Sequence, residues 1–174
     1  TTPRHDPLLP AVILYRGRSL IDGQPIVVIG RSNQGNRKTG NMVQTYTLSD
    51  DMDPLAASRC GADVSICGTG PHRGTATHSD KGQAKGRTCY VTLMHGPLVV
   101  FKAFAAGKYE AVSGHAAIKA IGAGRMVRIG TYGDGAAVPS YIWDRLCEDA
   151  AGWPAYTHQT GGATAATEPA RSMT

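Results

Sequence analysis

Five side chains able to ligate a metal, Cys60, Cys67, His72, His78 and Cys89, follow one another with the spacing C-x6-C-x4-H-x5-H-x10-C. Thiolate and imidazole together suit zinc or an iron–sulfur cluster. No CxxC pair is present, so the spacing alone does not select a metal centre. The same cysteines could form a Cys60–Cys89 or Cys67–Cys89 disulfide in an oxidising setting. They could also simply pack at the two roots of a polar loop.

Two further groups could do chemistry. Arg73, Lys81, Lys85 and Arg87 face one acid, Asp80, within the same stretch, and Arg31, Arg37 and Lys38 crowd the segment RSNQGNRKTG. Glycine-rich loops with Lys or Arg nearby make anion sites from backbone amides. The Walker spacing is absent, so phosphate or nucleic-acid contact competes with plain solvation as the explanation. The third group is a rim. Asp134 in GTYGDG, Arg128 before it, and Tyr156 and His158 in AYTHQ are expected at one end of a parallel sheet. Asp134 would be exposed there between its glycines, and the four would form a general acid–base or anion site. An Asx-turn starting the next helix is the alternative role for Asp134.

The elements that must position these residues can be read along the chain. AVILY (11–15) and PIVVI (25–29) predict two strands joined through Asp22-Gly23. MVQTYTL (42–48) predicts a third, with Val43, Thr45 and Thr47 on one face. Pro54 to Gly61 predicts a short helix, and TCYVTLM (88–94) a strand closing the polar excursion. Pro97 and Gly107 bound a helix with Leu98, Phe101 and Ala105 on one face. GHAAIKAIG (114–122) predicts another. MVRIG, a glycine-rich loop, PSYIWDRLCEDAAG and AYTH together read as strand, helix, strand: a βαβ unit. Cys147 reads as a core residue of that helix.

These elements define an α/β fold with a mixed or mostly parallel sheet, part of a barrel being one form of it. It has a C-terminal βαβ unit and a long polar loop flanked by cysteines. Residues 1–159 form one domain and 160–174 a small, polar tail. Of 174 residues 41% are apolar, 18% charged and 22 are glycine, which excludes a disordered chain and favours a loop-rich fold. The formal charge of +5 favours an acidic partner. No run approaches the roughly 18 apolar residues of a membrane span, and no signal-peptide pattern opens the chain. The cytoplasm is therefore the expected compartment.

NRKTGNMVQTYTL, GADVSICGTGPHR, RTCYVTLMHGPLVVFKAF, MVRIGTYGDGAAVPSYIW and AYTHQ, taken in order, resemble an uncharacterised family of phage- and plasmid-encoded proteins. That family is distantly related to the phage gene-eighty-eight group. The resemblance covers residues 11 to 159. It implies a mobile-element protein in a host-cell cytoplasm. It also implies an iron–sulfur or zinc centre on Cys67 and Cys89, completed by Cys60 or His72, because the Cys-Tyr-Val at 89–91 is similar to the CYA motif of radical-SAM-like barrels. The chain departs from the family's C-x-x-C-P-H-R at Gly70, where a cysteine is expected. A different class of function is a non-catalytic nucleic-acid or nucleoprotein binder using the basic loops, including interference with a host defence complex. A third is a structural phage protein.

Overall fold

The computed structural model describes residues 11–32 and 42–155. Two β-branched runs form the first hairpin, β1 (Val12–Arg18) and β2 (Pro25–Ser32), paired antiparallel. Its connection holds itself together. Ser19 N–H donates to Gln24 O at 2.8 Å, Gly23 N–H to Ser19 O at 2.9 Å, and Asp22 Oδ1 accepts from Gln24 N–H. Gly23 sits at φ +74°, which only glycine adopts without strain. Both strands run three residues past the apolar runs that predict them.

β3 (Val43–Ser49) continues the sheet antiparallel to β2. The alternation of its side chains predicts one covered face. All seven residues are buried, because both faces are covered. β5 (Val127–Tyr132) lies on its far side in parallel, and β4 (Glu110–Ala111) pairs in parallel with β1. The order is β4-β1-β2-β3-β5. The sheet is mixed and open, with β4 and β5 at opposite edges rather than joined into a barrel.

Helices cover the two faces. Neighbouring strand residues point to opposite sides, so Tyr46 and Thr47 mark the two. α3 (Gly96–Ala105) starts on the Tyr46 side, where a Cβ on Gly96 would lie 3.2 Å from the Tyr46 hydroxyl. Its buried stripe is Pro97, Val100 and Phe104. The predicted stripe Leu98–Phe101–Ala105 is rotated out, and Ala105 is exposed. On the other side, α4 (His115–Gly122) and α5 (Ser140–Cys147) pack together beside Val127 and Ile129.

α1 (Pro54–Cys60) is punctuated as its sequence predicts. Asp53 accepts from Ala56 N–H at 2.9 Å, Pro54 opens the first turn, and Gly61 closes it at φ +82°. α2 (Val64–Cys67) and the 3-10 turn Gly135–Ala137 are additional. Residues 88–94 are not a strand. Thr88 and Cys89 N–H both donate to His72 O, and Arg87 Nη1 donates to Cys89 O and Val91 O, so a loop and a guanidinium take the groups a ladder would use. The βαβ reading is met as far as the described chain runs. After α5, Gly152 and Ala155 bridge Met126 and Ile129 in parallel. Among the described residues no helix is long and apolar enough to cross a membrane.

α4 and α5 touch through a glycine. A Cβ at Gly122 would lie 1.9 Å from Leu146 O. Helix propensity alone makes Gly→Ala favourable by about 1 kcal/mol. Gly122→Ala is therefore expected to have the opposite sign, lowering stability by about 2 kcal/mol through overpacking. Urea unfolding of the two proteins measures it, and a stabilised variant would refute the contact.

Candidate functional site

The excursion between α2 and α3 is built on the fold. Thr75 and Lys85 exchange N–H···O bonds at 2.9 Å, closing an antiparallel bridge. Thr77 N–H donates to Arg59 O, and Ala84 N–H donates to Ser58 Oγ, tying both arms to α1. Gly74 is required at the crossing, since a Cβ there would meet Lys85 O at 2.7 Å.

Two of the predicted anion-binding residues serve this scaffold. Asp63 is buried, and its Oδ1 accepts from Arg73 Nε at 3.1 Å and Nη2 at 2.5 Å. Burial pushes the Asp63 carboxyl up, while the hydrogen-bonded Arg73 guanidinium pulls it back only in part. Arg73 also reaches Gly61 O, and Arg87 is spent on the carbonyls of 89 and 91. These arginines point inward because carbonyls and one carboxylate inside the excursion need donors. Lys81 and Lys85 are exposed as expected. Arg37 and Lys38 lie outside the described residues, between Ser32 and Val43, which pair in register.

The predicted metal ligands separate. Cys60 is exposed and its thiol contacts Met52 Sδ at 3.6 Å and Ala57 O at 3.8 Å. His72 Nδ1 lies 2.9 Å from Thr88 Oγ1. Cys67 and Cys89 come close enough to influence each other electrostatically, beside buried Tyr132. Burial, then Asp63 and Cys89, push the Cys67 thiol up to about 12. No disulfide joins the four cysteines. Among the described residues no three His, Cys, Asp or Glu side chains converge as a metal site.

The rim is also redistributed. Asp134 is buried, not exposed. Its N–H donates to Ile66 O at 2.6 Å and its Oδ1 accepts from Ala136 N–H at 2.9 Å, capping the 3-10 turn. Glycine on both sides permits this, since a Cβ on Gly133 would sit 2.7 Å from Thr47 Cβ. Arg128 lies toward the other end of β5, beside the start of β3. Tyr156 and His158 lie outside the described residues.

Arg128 instead belongs to a row that the sequence does not announce. Arg31 pairs in register with Gln44, and Gln44 with Arg128, so three adjacent strands present these side chains on one face. Gln44 is 8% exposed and Tyr46, on the same face, 6%. Tyr46 Oη donates to Gln44 Oε1 at 3.3 Å. Burial raises the Tyr46 phenol, and the guanidiniums of Arg31 and Arg128 act against it. Arg128 Nη2 donates to Tyr90 Oη at 2.7 Å, its guanidinium 6.0 Å from a ring that is 75% exposed. Neither arginine has a carboxylate partner among the described residues.

Comparison with protein-family models, curated proteins and solved structures finds no match to this chain.

Two measurements check this arrangement. A thiol at about 12 is ionised to roughly one part in ten thousand at pH 8. Alkylation of the native protein at pH 8 is expected to mark exposed Cys60 first, with Cys67 slow until the chain unfolds. Fast labelling of Cys67 would contradict its raised thiol and half-buried position. Asp134→Ala is expected to lower stability by about 1 kcal/mol, with Asp134→Asn keeping most of it, as for a capping side chain. Equal losses in thermal unfolding would argue against the cap.

Proposed function

We propose that the protein is a non-catalytic binder of single-stranded nucleic acid. The observation that carries this reading is the pairing of exposed Tyr90 with Arg128, beside a second arginine, Arg31, that no acid among the described residues neutralises. Single strands are held by basic surfaces that follow the backbone and by aromatic rings on which bases stack. Lys81 and Lys85 add exposed charge on the excursion, and the net charge of +5 acts in the same sense. The motif resemblance to phage- and plasmid-encoded proteins extends the proposal. It makes a host cytoplasm the setting and a host protein–nucleic acid complex a candidate target.

Fluorescence anisotropy with a labelled single-stranded oligonucleotide tests it. Affinity is expected to fall steeply with salt, with a log–log slope of about −0.7 per phosphate contacted. Tyr90→Ala should weaken binding by about 1–3 kcal/mol at constant slope. Arg128→Gln should flatten the slope by about one contact. Absence of binding at low salt, or binding indifferent to salt, would refute the proposal.

A further inference from the structure

We propose that Arg31, Gln44, Tyr46 and Arg128 form a subsite for a phosphate group on the sheet face beside the start of α3. The inference rests on the nucleic-acid reading for its natural ligand, a nucleotide phosphate, but takes its chemistry from the side chains themselves.

β3 is the central strand of this row, and the residues that flank Gln44 in register are both arginines. Strands lie about 4.8 Å apart, which puts the two arginine backbones about 10 Å from each other across Gln44. Both long side chains can therefore close on one anion above the amide. Gln44 is more than nine-tenths buried. Its Oε1 is engaged by the Tyr46 hydroxyl, which orients the carboxamide and leaves the NH2 group to donate. Among the described residues the buried side-chain atoms without a partner are the Thr47 and Thr131 hydroxyls, so the Gln44 NH2 group is not sealed off and is open to an incoming acceptor. An anion seated over Gln44 can accept from it. The missing Cβ at Gly96 lets the backbone approach the Tyr46 hydroxyl, so the positive end of the ten-residue helix α3 faces the same place.

The geometry favours phosphate over carboxylate. A carboxylate has two coplanar oxygens and suits one bidentate guanidinium. Here donors approach from two sides and from below, which a tetrahedral oxyanion can accept together. Tyr90, hydrogen-bonded to Arg128, places an exposed aromatic ring beside the site, where the base of a bound nucleotide can stack.

The test titrates the full chain at low ionic strength with inorganic phosphate, then a 5′-nucleoside monophosphate, then a short single-stranded oligonucleotide. Amide chemical shifts and calorimetry are the readouts, with chloride at matched ionic strength as control. Phosphate is expected to shift the amides of 31, 44, 96 and 128, and the monophosphate to bind more tightly than phosphate alone. Among the described residues the Arg31 side chain makes no bond that holds the fold, so Arg31→Gln should stay folded while weakening phosphate binding by about tenfold or more. Gln44→Leu, checked by thermal unfolding, should weaken it similarly, and Lys81→Gln should not. Shifts reproduced by chloride, or phosphate binding unaltered in Arg31→Gln, overturn the subsite. An oligonucleotide that binds while phosphate does not also overturns it and leaves the proposed function standing. Phosphate and monophosphate binding without oligonucleotide binding supports the subsite and removes the nucleic-acid reading.

Discussion

Seven consecutive residues of β3 are buried, and Gln44, Thr45, Thr47 and Ser49 among them are polar. A strand covered on both faces cannot leave such groups to water, so each needs a partner or imposes a cost. Much of the architecture answers that demand. Thr45 Oγ1 donates to Arg128 O and accepts from Gly130 N–H, a side chain clasping β5 where its register with β3 shifts. Among the described residues Thr47 Oγ1 has no partner, and a Cβ in place of the bare backbone of Gly133 would press on the Thr47 side chain. Gln44 is met halfway by Tyr46. The strand that organises the sheet therefore also carries polar groups that the fold does not fully use, and the proposed subsite lies on it.

The excursion divides the basic residues into two populations. Arg73 and Arg87 serve carbonyls and Asp63, where a planar fork of donors can satisfy several acceptors at once. Lysines, whose compact charge is better hydrated, remain outside at 81 and 85. Counting charges in the loop overstates its outward field, because two of its four cations hold the loop's own shape. The positive charge left for a partner lies instead partly across the sheet, at Arg31 and Arg128.

What could be read from the sequence followed from local chemistry. The β-branched runs gave the first hairpin, Pro54 and Gly61 bounded α1, and Pro97 and Gly107 bounded α3, each through a residue whose backbone restriction acts within a turn. The parallel return after α5 was visible for the same reason. α2 and β4 are too short to carry a period of their own. The stretch 88–94 has strand composition, but its carbonyls and amides were claimed by Arg87 and His72 from the surrounding loop. Asp134 looked exposed because glycines flank it, and the same glycines allow its burial. Arg31, Gln44 and Arg128 were each visible as residues. Their alignment depends on register between strands distant in the chain, which no local pattern records.

The outer edge of the sheet carries one more consequence. β4 pairs only with Val12 and Ile13, so among the described residues the remainder of β1 keeps an unladdered side. Such edges invite a strand from another molecule. Here a bulge between Ile13 and Tyr15 breaks the straight run of amides, and Arg16 and Arg18 alternate out into solvent beyond it. Arg16 is fixed by two bonds to Asp50, with its guanidinium over the Phe104 ring. A second copy approaching edge to edge would meet an irregular backbone and the exposed side chains of Arg16 and Arg18. The bulge and the charged side chains beyond it are the features by which sheet edges discourage a further strand from adding.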